Sequence, residues 1–236
     1  MVANSKSNRN IFITGGTGYI GRELIPQLVE RGHRVRALVR AGSEQKLPAG
    51  CERVTGDPLD ASTFEALIQP SDTFIQLVGV SHPSPAKADK FRSVDLVSAR
   101  ESISAAAGAG VGHFIYVSVA MPSPVMKAYQ EVRAEGERMI EDSGLNATIL
   151  RPWYVLGPGH RWAYALLPIY WLLERIPATR ERARRLGLIT IDQMVDALVS
   201  AVEAPASGVN VLEVPSLRSP HSTAIAGITA IEASGS

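Results

Sequence analysis

Ile11-Phe12-Ile13-Thr14-Gly15-Gly16-Thr17-Gly18-Tyr19-Ile20-Gly21 is the stretch on which the fold turns. The apolar run 11–14 has the length and composition of a buried strand, and it stops at glycines. Beyond them Ile20, Leu24, Ile25, Leu28 and Val29 fall at helical spacing, and Gly32 closes the predicted helix. Residues 35–39, β-branched and aliphatic, read as the next strand, so strand, turn, helix and strand form one βαβ unit.

Outward from this unit the alternation continues. The sequence predicts a short strand at Arg53-Val54, a helix over 61–68, strands over 73–78 and 114–118 with a long helix between them from about Lys87 to Ala107, a helix over 129–143 and a strand over 147–150. A helix over 192–202 and a strand over 209–214 close the pattern. Such alternation predicts an α/β fold, a doubly wound parallel sheet of about seven strands with helices on both faces. Residues 1–9 read as a polar lead, 10–215 as one domain, and 216–236 as a weakly structured tail. The segment 152–190, rich in Trp, Tyr and Pro, reads as a small substrate cap after the sixth strand.

The glycines carry chemistry as well as a turn. A pyrophosphate must approach backbone N–H groups at a helix N-terminus, where the helix dipole favours anions and a Cβ would obstruct. Gly15, Thr17, Gly18, Tyr19, Ile20 and Gly21 are therefore the expected phosphate cradle, with Gly21 also letting helix and strand pack closely. A tight turn that needs glycine only for its backbone freedom is the competing reading. NAD-specific folds carry an acid at the end of the second strand to hold the ribose 2′-OH. Here that place holds Arg40, and Arg22 follows Gly21 directly, which suits a 2′-phosphate. The expected cofactor is NADP, with NAD open if Glu44 folds back as a ribose acceptor or the two arginines are ordinary surface residues.

Composition sets the remaining bounds. The 236 residues and 25.3 kDa fit one large domain, and 45% hydrophobic against 20% charged residues argues for a packed core over disorder. A formal charge of +1 supplies no global field for nucleic acid or an anionic membrane. Cys51 is the single cysteine, and His33, His82, His113, His160 and His221 share no metal-ligand spacing, so no metal is expected. The polar start lacks the apolar core of a signal peptide, and the greasy region from Trp162 to Ile176 is short for a bilayer span, which together point to the cytoplasm.

Thr14 to Gly21, Gly56-Asp57, Tyr116-Val117-Ser118 and Leu150-Arg151-Pro152 together resemble the atypical short-chain dehydrogenase/reductases. The resemblance runs from about Asn10 to Pro215. It is closest to the compact NAD(P)H-binding groups that include nitrogen-metabolite-regulator-like proteins and the dehydrogenase-like accessory subunit of respiratory complex I. It implies a seven-stranded Rossmann sheet, with Asp57 and Pro58 beside the adenine, Val78 and Gly79 under the ribose-phosphate, and Pro152, Tyr154 and Val155 by the nicotinamide. It also implies a catalytic serine, tyrosine and lysine at positions that here hold Ser118, Tyr129 and Arg133.

Tyrosine, with a reference pKa of about 10, needs a nearby cation before it exchanges protons readily near neutral pH. Arg133 is one helical turn on and on the same face, whereas Lys127 points away. An arginine keeps the charge and could hydrogen-bond the ribose hydroxyls, but its planar fork is not a lysine ammonium. The competing reading makes Tyr129 a half-exposed helix residue and Ser118 a strand-end hydroxyl.

Trp153, Tyr154, Trp162, Tyr164, Tyr170 and Trp171 lie after the sixth strand, where open α/β folds bind ligands; they suit an apolar small-molecule substrate, the core of a cap or a homodimer contact equally well. Arg175 and the arginines at 180–185 read as a solvated face that leaves peripheral membrane contact open. Three functions compete. The first is an NADP-dependent oxidoreductase acting on a small carbonyl compound; the second is a non-catalytic NAD(P)H-binding sensor or structural subunit. The third, a nucleotide-sugar epimerase, usually needs a larger substrate domain than this chain offers.

Overall fold

The computed structural model describes residues 8–81, 83–123, 125–157 and 186–218. The first unit is β1 (Asn10–Thr14), α1 (Tyr19–Glu30) and β2 (Arg34–Val39), followed by β3 (Glu52–Thr55) and β4 (Thr73–Gln76). A helical run then comprises α2 (Ala88–Lys90), a π-turn at Phe91–Leu96 and α3 (Val97–Gly108). β5 (His113–Val117), α4 (Lys127–Ser143), β6 (Ala147–Arg151) and β7 (Tyr154–Leu156) come next. β8 (Leu188–Thr190), α5 (Ile191–Glu203), β9 (Val209–Glu213) and α6 (Val214–Arg218) complete the described chain.

Seven strands form one parallel sheet in the order β3-β2-β1-β4-β5-β6-β9. The order reverses between β1 and β4, and at such a switch point open sheets bind ligands beyond the strand ends. Burial on both faces explains why the central strands β1, β4, β5 and β6 are nearly continuous buried runs, while the edge strands β3 and β9 are largely exposed. On one face Ile11, Ile13, Ile75 and Ile115 pack with Leu24, Ile25 and Leu28 of α1 and Met194, Leu198 and Val202 of α5. On the other, the parallel register sets Phe12, Phe74 and Phe114 side by side. Their ring centroids lie 5.3 and 5.4 Å apart, within the range of favourable aromatic contact.

The seven predicted strands are present, and two structural differences stand out. The predicted helix over 61–68 is instead a pair of single 3₁₀ turns, Ala61–Thr63 and Glu65–Leu67. Local side chains compete for its backbone: Asp60 caps Ser62, and Thr63 Oγ1 donates back toward Asp57 and Asp60 carbonyls. The other difference is a second, two-stranded parallel sheet of β7 and β8, too short to carry a period. The capping box of Thr190 and Gln193 opens α5 immediately after β8.

Candidate cofactor and active site

Gly15 adopts φ +79°, and a Cβ there would sit 2.7 Å from the Leu77 carbonyl carbon and 2.8 Å from the Val78 nitrogen. A Cβ on Gly21 would lie 2.6 Å from both the Gly15 oxygen and the Gly16 Cα. Backbone therefore meets backbone at both points, and only glycine permits it. The turn closes through the Gly18 amide, which donates to the Gly15 carbonyl at 2.9 Å. Gly18 is the N-cap of helix α1, which has no side-chain cap and no acid in its first turn. Its first amides are thus left for an anion from outside, where the helix dipole adds its attraction.

Tyr19 turns from this loop toward the end of β7: its hydroxyl lies where a Cβ on Gly157 would stand, and its ring packs on the first core. Arg22 and Arg40 are both exposed, and neither makes an ion pair among the described residues. Asp57 and Pro58 follow β3, with the Asp57 amide held by Thr63 Oγ1 at 2.9 Å and its carboxylate accepting from the Leu59 amide at 3.0 Å. Thr14, Val39, Thr55 and Gln76 end adjacent strands in register, so these loops share one rim of the sheet.

Val78 and Gly79 follow β4 on the same rim, where the Leu77–Val78 peptide lies directly against Gly15. Beneath them is a buried polar network that the sequence reading missed. Gln76 donates to the Val78 carbonyl at 3.2 Å and to Ser98 Oγ at 3.1 Å. Asp95, fully buried on the π-turn, accepts from the Val80 amide at 3.0 Å and from Arg133 Nη2 at 2.6 Å. Arg133 Nη1 donates to the Val117 carbonyl at 3.0 Å. Burial lifts the Asp95 carboxyl above its ordinary range, while the Arg133 charge and the Val80 amide pull it back. The guanidinium carbon also stands 5.1 Å from the Tyr129 ring and 5.6 Å from that of Tyr116, within cation–π range.

Arg133 and Tyr129 thus share one face of α4, as their spacing predicts, but the guanidinium is held by protein groups. Tyr129 is half-buried against Phe91, with ring centroids 5.0 Å apart. Gln130 anchors the preceding loop by accepting from the Ser123 amide at 2.8 Å and donating to the Ser123 carbonyl at 3.0 Å. Ser118 is buried; its amide donates to the Leu150 carbonyl at 2.7 Å, and its Oγ has no hydrogen-bond partner among the described residues. No hydrogen bond joins Ser118 to Tyr129 among the described residues.

Pro152 follows β6 and accepts from the Ala120 amide at 2.8 Å, while Tyr154 and Val155 belong to β7. Trp153 packs on the first core and Tyr154 on the small β7–β8 cluster. Trp162, Tyr164, Tyr170, Trp171, Arg175, the arginines at 180–185, His82, His160 and His221 lie outside the described residues. Arg151 joins Glu137 of α4 and Glu213 of β9, with contacts of 3.0 Å from Nε and 2.9 Å from Nη1. Burial pushes the Cys51 thiol up, which suits an unreactive side chain. Among the described residues no group of three or more His, Cys, Asp or Glu could hold a metal, and no helix is long and apolar enough to cross a membrane.

The uncapped amides, the two glycine contacts and the unpartnered Ser118 hydroxyl fit a dinucleotide. A family profile described as NAD(P)H-binding matches residues 15–162, more than half of the chain. The chain belongs to the NAD(P)H-binding family. This NAD(P)H-binding protein is of the atypical short-chain dehydrogenase/reductase type. It is 27% identical to the ceramide reductase of Caulobacter vibrioides over 84% of its own length and 62% of that protein's, so it spans less than two thirds of that relative. It is 33% identical to the uncharacterized sugar epimerase YhfK of Bacillus subtilis over 60% of this chain and 70% of that one. Among solved structures, the Bordetella bronchiseptica enzyme WbmH in complex with NAD+ superposes with a TM-score of 0.65 at 21% identity, over 87% of this chain and 75% of that one. This likeness shows the fold, which agrees with the seven-stranded sheet.

Proposed function

We propose that the protein is an NADP(H)-dependent reductase acting on a small, apolar carbonyl substrate. The observation that carries this reading is the uncapped start of α1, packed against the β4 loop with Tyr129 and Ser118 on neighbouring elements of the rim. When bound, the dinucleotide supplies the hydride. In this reading Thr17, Tyr19, Ile20 and Gly21 present amides to the pyrophosphate, Gly15 and Gly18 hold the turn beneath it through their own hydrogen bond, and Asp57, Pro58, Val78 and Gly79 line the adenosine side. Arg22 and Arg40, exposed and free of ion pairs among the described residues, neutralise a 2′-phosphate. Ser118 hydrogen-bonds the substrate oxygen, Tyr129 donates a proton to it, and Pro152, Tyr154 and Val155 border the reacting end. The reductase named among the relatives supports this direction of chemistry.

One observation favours a second reading, a non-catalytic NAD(P)H sensor or structural subunit. Arg133, where the resemblance implies a lysine, is tied to Asp95 and Val117. Calorimetric titration with NADPH and NADH, followed in the same samples by a carbonyl panel for cofactor oxidation, separates the readings. Tight NADPH binding with turnover is the expected outcome; tight binding without turnover across the panel would establish the sensor, and absence of binding would defeat both.

A further inference from the structure

Gly79 lies on the exposed rim, yet its inner side rests on an ion pair. A Cβ there would stand 2.5 Å from Arg133 Nη2 and 3.0 Å from Asp95 Oδ1. A side chain at this position would have to push the buried ion pair aside. The two oxygens of Asp95 have different partners: Oδ1 takes Arg133, and Oδ2 takes the amide of Val80. The Ser98 hydroxyl donates to the Asp95 carbonyl at 3.1 Å, and Gln76 reaches both that hydroxyl and Val78. Val78 and Val80 are therefore hydrogen-bonded from below by Gln76 of β4 and Asp95 of the π-turn, and Gly79 between them lies over the Asp95–Arg133 pair.

The π-turn matters because it shifts the helix by one residue and brings Asp95 inward, while Phe91 at its start packs on Tyr129. Such insertions often accompany functional sites. A carboxylate with no solvent exposure is tolerated only with a complete set of partners, and this one has a charged donor and a backbone amide.

We propose that Asp95 is a positioning residue for the nicotinamide dinucleotide, latching the 78–80 loop to Arg133 so that the loop is already at its binding height before cofactor arrives. This inference rests on the dinucleotide-binding reading above. It gives Arg133 a different task from the lysine it replaces: the guanidinium bridges Asp95 to the Val117 carbonyl instead of approaching the ribose. A loop ordered in advance loses less freedom on binding, and its affinity falls when the order is removed.

The experiment compares the full chain with Asp95→Asn and with the double variant Asp95→Leu/Arg133→Met, which removes both charges together and so avoids an unpaired guanidinium. NADPH affinity by calorimetry, backbone amide exchange over residues 78–80 and chemical denaturation are measured on each. Both variants are expected to bind NADPH about tenfold more weakly while folded, with faster exchange at Val80. A merely structural role would lower the denaturation midpoint and leave the affinity of the folded protein within about twofold of wild type, which overturns the latch. Should neither variant fold, exchange in the wild-type protein without cofactor decides: Val80 protected well above an open loop supports the latch, and exchange at the open-loop rate refutes it. Wild-type protein that binds neither NADPH nor NADH would instead overturn the cofactor reading itself.

Discussion

At the start of α1 the groups offered to a ligand are backbone amides, whereas at the head of α4 they are side chains held by other side chains. The first region depends on glycines that let strand, turn and helix touch, and its chemistry is fixed once that contact is made. The second depends on Asp95, Gln76, Tyr116 and Val117, which come from three other elements. A site made of amides tolerates no added atom; a site made of side chains can keep its architecture while the task of a residue changes. Arg133 shows this, sharing the predicted face with Tyr129 and yet bonded elsewhere.

The most damaging way to break the first region is Gly21→Ala, which drives a Cβ into the Gly15 carbonyl and Gly16 Cα. Overpacking against backbone is expected to cost about 3 kcal/mol in chemical denaturation and to reduce NADPH affinity by more than about a hundredfold. The second region is tested by Tyr129→Phe: in a reductase, turnover should fall roughly a hundredfold while the calorimetric affinity for NADPH stays within about twofold. Unchanged turnover would show that the hydroxyl carries no proton. A smaller effect tests the rim between them. Arg40→Ala, alone or with Arg22→Ala, should weaken NADPH binding by about 1.5 to 3 kcal/mol per lost charged hydrogen bond and NADH binding far less; equal losses would refute the 2′-phosphate contact.

The smallest effect comes from a group in neither region. His113, at the N-terminal start of β5, is buried, with Nε2 against Thr148 Oγ1 at 3.0 Å. Burial lowers its pKa from 6.5 to about 4, helped by the charge of Arg9. The unfolded chain therefore takes up a proton first as pH falls, so the stability due to neutral His113 is present above pH 6.5 and is lost progressively toward pH 4. At pH 5.5 this amounts to roughly 1 kcal/mol, and His113→Gln should flatten that part of the stability curve without altering cofactor affinity at neutral pH.

The contrast also explains what could be read from the chain. The strand–glycine–helix unit and the central strands were legible because burial on both faces leaves apolar runs and close backbone contact leaves glycines, whereas the exposed edge strands β3 and β9 were legible from their β-branched residues and their place in the alternation. The face shared by Tyr129 and Arg133 was legible from helical spacing. The partner of Arg133 was not, because Asp95 lies far away in sequence and no local period links them. A signal existed in the acid itself: Asp95 interrupts the apolar run Val94-Asp95-Leu96-Val97, and such an acid needs a donor if buried. Gly136 offered another, since a glycine inside a helix is unfavourable unless something lies against it; a Cβ there would meet the Tyr116 hydroxyl at 2.5 Å. The failed helix over 61–68 had its warning in Asp57, Asp60 and Thr63, whose side chains compete for local amides and carbonyls.

The pairing of β7 with β8 has an evolutionary consequence. Tyr154 stands opposite Leu188 and Leu156 opposite Thr190, so two stretches some thirty residues apart in sequence are joined by one ladder of hydrogen bonds. Between two ends joined in this way, each doubling of a flexible connection costs only about 0.6 kcal/mol more to close. The position after Gly157 is therefore a port at which residues can be inserted or exchanged while the sheet, the glycine turn and the latch beneath Gly79 stay as they are.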